Sequence, residues 1–554
     1  MLLSPSAHVD TFTRDNLPPV EAWPRLEFTL DELRYPDRLN AAVELLDRTI
    51  DRFGPDRIAL RGASPDGADE TWTYGALRDR VDQVAHVLVE DYGIVPGNRV
   101  VLRIPNNPWA VVLWLAVLKA GAVVVTTMTA WHAHEVAKVA ARTRPSLLVV
   151  DHRHPVDAPA DLPVAVLGGA DDALWTAADA KPSRFAAVAT AADDVALLGP
   201  TSGTTGEPKV TMHFHRDILA IADTFGVRVL DLQPDDVSAG SPPLAFTFGL
   251  RGLVIFPMRT GGSAVLLEKP SPTALVDLVD SHGVTVLYTA PTGYRAILKS
   301  GRADALSRLR IGVSAGEHLP KETFEDVERA TGLRLVNGIG ATEMLHVFIS
   351  AAGDDIRPGA TGRPIPGFRA AVLDDDGNEV PDGTPGRLAV VGPTGCRYLA
   401  DERQAVYVQN GWNITGDAYI RDEDGYFHYQ ARTDDIIVTA GYNVGAPEVE
   451  AVLDEHPSVV ESAVVGRPDP DKGFIVNAFV VLAPGAEASD ALVGELQEHA
   501  GTRLTRYKVP RRIDFVEALP RNASGKLQRF PLRERAAREA AESAPEAVLT
   551  GGLK

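Results

Sequence analysis

Short apolar runs alternate with segments of helical periodicity through the first two thirds of the chain. From Asn40, apolar residues recur at helical spacing, which predicts a helix. Strands are predicted at residues 99–104, 122–126, 147–150, 195–198, 263–267, 284–288, 309–313 and 334–336. Strands that alternate with helices favour βαβ units and a largely parallel sheet.

The pattern changes twice towards the C-terminus. Around residues 360–430 Gly, Pro and Asp become frequent, and short strands at 370–373 and 387–391 indicate a compact antiparallel unit. Beyond this unit, predicted helices at 448–454 and 491–504 accompany strands at 459–465 and 478–482. We therefore expect an α/β protein. Its large N-terminal domain (1–433), of layered βαβ subdomains plus a small antiparallel β unit, precedes a small mobile α+β domain (434–554). The tail after Arg533 is expected to fray.

Composition narrows the classes of function. The formal net charge of −20 argues against a nucleic-acid-binding surface, which needs clustered basic side chains. Cys396 is the single cysteine, so neither an intramolecular disulfide nor a multi-cysteine metal site can form. The most hydrophobic segment, 109–125, contains Lys119 and Gly121 and is short for a membrane span, so it predicts a buried helix running into a strand. The N-terminus has no signal-peptide pattern, and we expect a cytoplasmic protein without membrane association.

The strongest chemical signal directly follows the strand predicted at 195–198. It reads Thr201-Ser202-Gly203-Thr204-Thr205-Gly206-Glu207-Pro208-Lys209. Backbone N–H groups in such a loop can form an anion-binding nest, to which hydroxyls and a lysine add matched contacts. The spacing differs from that of a P-loop, so that mechanism does not apply. A flexible linker is the alternative, but the ordered Pro-Lys ending is unlike one.

This segment resembles the phosphate-binding loop of the adenylate-forming superfamily, which includes acyl-CoA synthetases, peptide-synthetase adenylation domains and beetle luciferases. Further motifs follow in the family's order, and the resemblance covers residues 40–530. They are Ser314-Ala315-Gly316-Glu317, Gly338-Ile339-Gly340-Ala341-Thr342-Glu343, Trp412-Asn413-Ile414-Thr415-Gly416-Asp417 and Pro520-Arg521-Asn522-Ala523-Ser524-Gly525-Lys526.

The resemblance implies a set of ATP-binding residues. They are Thr201, Ser202, Gly203, Thr204, Thr205, Gly206, Lys209, Ala315, Gly316, Glu317, Asn337, Gly338, Ile339, Gly340, Thr342, Asp417, Arg432 and Lys526. Thr201, Thr342, Glu343 and Lys526 are the implied catalytic residues, with Glu343 as the Mg²⁺ ligand. A glutamate suits Mg²⁺, which takes hard oxygen ligands.

In the family, the residues matching Asp417 and Arg432 reach the ribose, and the lysine matching Lys526 bridges the carboxylate and the α-phosphate. Asp434 falls on the hinge position and Gly441 on the loop beside the thiol tunnel. Taken alone, Lys526 is better explained as a solvated surface lysine. The five motifs in the family's order together favour the catalytic role.

Residues around the predicted acid pocket narrow the subfamily. Segments near His213, His346 and Gly441 resemble benzoate- and 2-aminobenzoate-CoA ligases. The implied acid-binding residues are Phe246, Thr247, Phe248, Gly340 and His346. Aromatic walls suit a planar aryl acid. The alternative is that Phe246, Phe248 and His346 are ordinary core residues. His213 and His215 lack the spacing of a helical metal pair and are predicted to be structural.

The implied function is ATP-dependent activation of an aromatic acid as an acyl-adenylate, then transfer to CoA, with ATP, Mg²⁺ and CoA as cofactors. Small-molecule acid and CoA are the expected partners, and a homodimer is an open expectation. Three alternatives remain: a carrier-protein thiol acting in trans as the acceptor, activation of nitrite for arylamine diazotisation, and a non-catalytic nucleotide-binding regulator. Asn477 stands where relatives commonly have lysine, which predicts a changed C-terminal surface and weaker binding of the CoA phosphates.

Overall fold

The computed structural model describes residues 3–170, 172–201, 208–432, 435–439, 442–469, 472–521, 525 and 527–542, apart from the side chains of Thr201, Val438, Tyr442 and Asn443. The strands of this part are β1 Ile58–Ala63, β2 Asp69–Thr73, β3 Arg99–Arg103, β4 Val123–Thr126, β5 Leu147–Asp151, β6 Val164–Leu167, β7 Val195–Thr201, β8 Lys209–Phe214, β9 Val237–Gly240, β10 Ser263–Val265, β11 Val286–Thr289, β12 Ile311–Ser314, β13 Val336–Ala341, β14 His346–Ser350, β15 Arg363–Pro364, β16 Arg369–Leu373, β17 Pro385–Val391, β18 Val408–Gln409, β19 Trp412–Arg421, β20 Phe427–Arg432, β21 Ile436–Thr439, β22 Tyr442–Gly445, β23 Val459–Asp469, β24 Gly473–Leu482 and β25 Arg512–Phe515.

Helices lie between most of these strands. The α-helices are α1 Phe12–Asp15, α2 Arg48–Phe53, α3 Tyr74–His86, α4 Pro108–Lys119, α5 Ala133–Thr143, α6 Ala173–Asp179, α7 His215–Ile221, α8 Thr247–Leu250, α9 Phe256–Thr260, α10 Pro272–His282, α11 Pro291–Lys299, α12 Lys321–Thr331, α13 Gln404–Tyr407, α14 Ala446–Asp454, α15 Asp490–Gly501 and α16 Arg529–Glu542. π-Helical turns adjoin several of them at Val43–Asp47, Val87–Asp91, Ala222–Val227 and Arg251–Ile255. Short 3₁₀ turns lie at Val20–Ala22, Asp31–Leu33, Ala303–Arg308, Thr342–Met344 and Gly353–Asp355.

The chain divides into two compact units. The first comprises Met1–Asp382, Leu388–Thr415 and Arg421–His428; the second comprises Gly383–Arg387, Gly416–Ile420 and Tyr429–Lys554. The boundary predicted after residue 433 stays a prediction, since residues 433 and 434 lie outside the described part.

Two large, mainly parallel sheets form the first unit. One has the order β15-β14-β13-β12-β11-β9-β10-β1-β2, the other β6-β5-β3-β4-β7-β8. In the nine-stranded sheet, the neighbouring strands β13, β12, β11, β9, β10 and β1 run parallel to one another. Strands β2, β14 and β15 pair antiparallel at its two edges. A smaller sheet joins β16-β17-β19-β18, with β20 also paired to β19. The predicted α/β architecture of layered βαβ subdomains is confirmed.

Helix α4 shows why this unit folds as layers. Asn107 caps its N-terminus by accepting a hydrogen bond from the Ala110 N–H at 3.1 Å, and Pro108 occupies the first helical position. Every residue of the helix is buried. A helix that is apolar all round belongs in a core. The helix runs into β4, as predicted from the sequence. No helix in the described ranges is both long enough and apolar enough to span a bilayer.

The second unit is an α+β domain, as predicted. Its sheet has the order β22-β21-β24-β23, and β25 lies parallel to β24. Val444, Val449, Leu453, Val476 and Leu496 are among the residues of its core.

The prediction that the tail frays after Arg533 is wrong for residues 534–542. Helix α16 continues to Glu542, because Leu532 and Ala536 pack into an apolar cluster with Ala463, Val465 and Phe479. An Ala- and Glu-rich composition suggested a solvated tail, but two apolar residues four positions apart are enough to anchor one helical face. Residues 543–554 lie outside the described part.

Lys119 supplies a test of the first unit's core. Its ammonium group is buried and lies 2.7 Å from Asp82 and 2.8 Å from Asp47. Burial raises the pKa of Asp82 even though Lys119 opposes the shift. We expect Lys119→Met to destabilise the protein by about 3–5 kcal/mol, because it leaves the buried Asp82 carboxyl group without its cation.

The measurement is thermal unfolding of Lys119→Met beside Lys299→Met, which removes an exposed lysine at the end of α11. Adding Asp82→Asn to Lys119→Met should recover part of the loss. Equal unfolding temperatures for the two lysine variants would show that the buried charges are not coupled.

Candidate active site

The predicted phosphate loop connects two antiparallel strands of the six-stranded sheet. Strands β7 and β8 pair with Thr201 opposite Lys209, so the two ends of the loop are held together. Ser202, Gly203, Thr204, Thr205 and Gly206 lie outside the described residues, as does the side chain of Thr201. The structure therefore describes where this loop begins and ends.

Gly199 brings strand β7 against the Thr342 motif. A Cβ atom at position 199 would lie 2.7 Å from the Thr211 hydroxyl and 3.1 Å from the Thr342 methyl group. Only glycine fits this approach without displacing a neighbour. Thr342 itself begins a 3₁₀ turn that ends at Met344, and the φ of 59° at the following residue, Leu345, is left-handed. Such a backbone costs a non-glycine residue about 1 kcal/mol or more, and it concentrates at functional sites.

A tyrosine that was not predicted holds Glu343 in place. The Tyr398 hydroxyl donates to Glu343 Oε1 at 2.6 Å. Lys209 Nζ lies 3.5 Å from the same hydroxyl and 5.2 Å from the ring centroid of Tyr398. Burial, followed by the Glu343 charge, raises the pKa of Tyr398 far above its usual value, so the hydroxyl keeps its proton and donates. Tyr398 thus links Lys209 and Glu343, which belong to two distant motifs.

The other ATP-binding candidates of the first unit lie at the carboxyl ends of neighbouring strands. Ala315, Gly316 and Glu317 directly follow β12, and Thr292 donates from its hydroxyl to Glu317 at 3.3 Å. Asn337, Gly338, Ile339 and Gly340 belong to β13. The carboxyl ends of parallel strands are where open α/β sheets bind ligands.

His346 lies directly behind the Thr342–Glu343 turn. Strands β13 and β14 form a hairpin in which Ala341 pairs with His346. A Cβ atom at Gly340 would overlap the carbonyl oxygen of His346, so this position requires glycine. One hairpin therefore carries both the turn and the histidine.

An aromatic cluster surrounds the His346 ring. Phe225, Phe256 and Phe368 have ring centroids 5.3, 5.9 and 6.0 Å from it. Among the described residues neither ring nitrogen has a hydrogen-bond partner, and the side chain is fully buried. Burial, assisted by the positive charge of Arg251, lowers the pKa of His346 well below its usual value. The imidazole is therefore neutral, and its two polar atoms are left unsatisfied.

The three pocket residues predicted around 247 lie at the start of a helix and are half-buried. Phe246 precedes α8, which Thr247 and Phe248 begin. The ring of Phe248 meets Tyr288 edge-on at 6.2 Å, and the Arg251 guanidinium lies 5.1 Å from the Phe248 centroid. Half-burial and an arginine neighbour are unlike an ordinary core phenylalanine.

The ribose-binding candidates meet in the second unit. Arg432 Nη1 lies 3.0 Å from Asp417 Oδ1. Gly416 permits this approach: its φ is +76°, and a Cβ atom there would lie 2.9 Å from Arg432 Nη2. Lys526, Asp434 and Gly441 lie outside the described residues, so their predicted roles stay predictions.

The expectation that the lack of a lysine at Asn477 changes the surface of the second unit and weakens binding of the CoA phosphates stays a prediction. The Asn477 side chain is fully buried on β24 and donates to Asp514 Oδ2 at 2.9 Å. A buried amide contributes no surface on which CoA phosphates could bind.

Sequence comparisons agree with this geometry. A profile of the AMP-binding enzyme family matches residues 46–398, and a profile of the AMP-binding enzyme C-terminal domain matches residues 448–526. The chain belongs to the AMP-binding enzyme family.

Similar proteins cover almost the whole of this AMP-binding enzyme. A benzoate–CoA ligase from Thauera aromatica is 33% identical over 517 residues, which are 90% of this chain and 97% of that one. A 4-hydroxybenzoate–CoA/benzoate–CoA ligase from Rhodopseudomonas palustris is 34% identical over 526 residues, 91% of this chain and 96% of that one. The crystal structure of the anthranilate CoA ligase AuaEII with anthranoyl-AMP has a TM-score of 0.85 at 32% identity, and covers 92% of this chain and 100% of that one. The predicted membership of the adenylate-forming superfamily is confirmed, as is an AMP-forming ligase of the acyl/aryl-CoA synthetase type, a type that uses ATP and CoA.

Two residues of the candidate site escaped prediction in this AMP-binding enzyme. Tyr398 follows Arg397 in a short apolar stretch, where a tyrosine suggests only a core position. Arg251 lies among apolar residues, where a charged residue could have been noticed as unusual, since Arg is almost never fully buried unless paired.

Buried neutral histidines predict acid lability. His213 and His215 are fully buried, and burial, in each case the main cause, lowers the pKa of both to about 3. Since the unfolded chain binds protons at its ordinary histidine pKa, stability is complete above about pH 6.5 and falls by up to about 1.4 kcal/mol per pH unit and per histidine below it.

His215→Asn should therefore reduce the difference in unfolding free energy between pH 7 and pH 5 by about 2 kcal/mol relative to wild type. The amide oxygen can still accept from the Ala41 N–H, which donates to His215 Nδ1 at 3.1 Å. Urea unfolding at the two pH values measures the difference, and His134→Asn on the surface is the control. An unchanged pH dependence in His215→Asn would contradict this account.

Proposed function

We propose that this enzyme activates an aromatic, benzoate- or aminobenzoate-like carboxylic acid with ATP and then transfers the acyl group to CoA. In the first half, the carboxylate oxygen attacks the α-phosphorus, an O–P bond forms and the bond to pyrophosphate breaks. In the second half, the CoA thiolate attacks the acyl carbon, a C–S bond forms and AMP leaves.

The observation that carries this proposal is the β13–β14 hairpin. It holds Thr342 and Glu343 at its turn and His346 immediately behind, inside the aromatic cluster of Phe225, Phe256 and Phe368. The phosphate-facing and ring-facing residues of such a site would then be fixed relative to each other by a few residues of backbone. Fixed positioning is the main source of rate in this chemistry.

Each motif of the candidate site is proposed to bind one part of ATP. Thr342 and the loop from Thr201 to Lys209 would bind the phosphates, Ala315–Glu317 and Asn337–Gly340 the adenine side, and Asp417 with Arg432 the ribose. Lys526 would place its cation where negative charge gathers at the α-phosphorus, a contribution of roughly 10²–10³ in rate. Asp434 is proposed as the hinge and Gly441 as the residue beside the thiol tunnel.

Glu343 fits an Mg²⁺ ligand. Mg²⁺ in nucleotide sites is bound by one or two carboxylates plus substrate phosphates. Tyr398 donates a hydrogen bond to Oε1 of Glu343. Within the described residues no hydrogen bond reaches Oε2, so this hard oxygen remains available to a metal ion. When bound, the ion would neutralise phosphate charge, while Tyr398 holds the carboxylate in one orientation.

Tyr398→Phe tests this arrangement. Loss of a hydrogen bond to a charged group should raise the Mg²⁺ concentration for half-maximal ATP–pyrophosphate exchange about tenfold. Binding of Mn²⁺–ATP, followed by water proton relaxation without turnover, should weaken by a similar factor. Tyr92→Phe is the matched control. Unchanged metal dependence and Mn²⁺ binding would refute the role of Tyr398.

ATP–pyrophosphate exchange tests the proposed function itself. The panel comprises benzoates, aminobenzoates, hydroxycinnamates and medium-chain acids. We expect exchange with the aromatic acids and its loss by about 10²–10³-fold in Lys526→Ala. Lys472→Ala, in the same unit, is the control. Adding CoA should then yield the acyl thioester and AMP.

Other outcomes identify the alternatives. If exchange occurs but a thioester forms only with a carrier-protein pantetheine, the acceptor is that thiol and not CoA. AMP release with nitrite and an arylamine, but no exchange with any acid, would indicate diazotisation. ATP binding without either activity would indicate a regulator.

A further inference from the structure

Arg251 is a buried arginine in the region of the predicted acid pocket. It follows α8 and begins the π-helical turn Arg251–Ile255, one turn after Phe248. The residue is only 4% exposed, and its guanidinium lies 5.1 Å from the Phe248 ring centroid. Tyr288, which meets Phe248 edge-on, and His346 both interact with it electrostatically.

This guanidinium lacks an acidic partner. Across the described ranges it donates no hydrogen bond and forms no ion pair, and its Nε is completely buried and unsatisfied. Other buried arginines of the same unit behave differently. Arg397 pairs with Asp217, and Arg103, which is equally buried, donates to the carbonyl oxygens of Met128 and Thr129. The fold therefore supplies hydrogen-bond acceptors to these two arginines, whereas Arg251 has none among the described residues.

Burial does not remove the charge. Desolvation lowers the pKa of Arg251 to about 10, which leaves the group protonated at neutral pH. The face of Phe248 compensates the charge in part through a cation–π contact. The hydrogen-bonding capacity remains unused: a guanidinium offers five donors in a rigid fork that fits a carboxylate.

His346 adds unused polar atoms to the same region. Both of its ring nitrogens are buried and find no partner in the described part of the chain, and the ring is neutral. A neutral imidazole can donate one hydrogen bond to an anion that the arginine attracts. Buried polar groups are nearly always satisfied, so unpartnered ones beside a binding pocket point to a ligand.

We propose that Arg251 forms an anion-binding subsite in the acid pocket, which selects aromatic acids that carry a second anionic substituent, a carboxylate in the first instance. This inference rests on the proposed function and names the substrate class within it. The aromatic walls favour delivery of the anion on a ring.

The test compares matched acids in ATP–pyrophosphate exchange. Benzene-1,2-, 1,3- and 1,4-dicarboxylates are each paired with their monomethyl esters, and benzoate is included. For at least one isomer, kcat/KM of the dicarboxylate should exceed that of its ester in the wild type. In Arg251→Met this ratio should fall by at least ~30-fold, because a buried charge pair has lost one partner. Arg251→Lys should retain part of the ratio, and Arg308→Met, on the surface, should leave it unchanged.

A second readout does not depend on turnover. Without substrate, Arg251→Met should unfold at a higher temperature than wild type, since it removes an unpaired buried charge. The preferred dicarboxylate should raise the unfolding temperature of wild type more than that of the variant. A structural role for Arg251 predicts the opposite, a less stable Arg251→Met protein.

The outcomes separate the two proposals. No exchange with any acid in wild type would refute the proposed function, whereas exchange with benzoate and equal use of dicarboxylates and esters would refute only the subsite. Equal loss of exchange with every acid in Arg251→Met would assign the arginine to the reacting carboxylate and overturn the inference. Stabilisation of wild type, but not Arg251→Met, by nitrite alone would keep the anion subsite and replace the ring substituent with a free anion as its occupant.

Discussion

The close approach of β7 to the β13–β14 hairpin is the constraint on which the candidate site depends. At Gly199 there is no room for a Cβ atom between the Thr211 hydroxyl and the Thr342 methyl group, and at Gly340 a Cβ atom would overlap the backbone of His346. Both glycines are required because they lack a side chain. Gly199 allows β7 to approach the Thr342 turn, and Gly340 allows the two strands of the hairpin to pack closely. Near these approaches Lys209, Tyr398 and Glu343, which are far apart in sequence, lie together.

Much of the scaffold could be predicted from hydrophobic pattern, and the failures have identifiable causes. Helix α4 and strands β3, β4, β5 and β7 follow from apolar runs because both faces of these elements are buried. Strand β13 was predicted too early, at 334–336, since Gly338 and Gly340 are typical of loops. Pairing with β14 forms the strand in spite of weak local preference. Helix α16 was missed for the converse reason, that its anchoring apolar residues are too few to dominate its composition.

The site was predictable to the extent that motifs carry it. Motif order located Thr342, Glu343, Asp417 and Arg432, and the structure brings the last two into an ion pair. Tyr398 and Arg251 have no motif, because what distinguishes them is which atoms they face, and sequence pattern reports burial but not orientation. Buried polar atoms without partners, as at Arg251 and His346, become visible only when every neighbour is known.

The two sides of the proposed acid pocket belong to different parts of the fold, and this difference bears on how its selectivity can evolve. His346 lies on the hairpin that also carries Thr342 and Glu343, so a substitution there would disturb the proposed nucleotide site as well. The wall formed by Phe248 and Arg251 belongs to a helical segment that no described residue of the phosphate motifs contacts through a hydrogen bond. Lineages that change their acid should therefore accumulate changes along this helical wall first, while the hairpin stays conservative. Laboratory libraries aimed at a new substrate range would gain by the same division, with diversity placed at 246–251 and the 338–348 segment left intact.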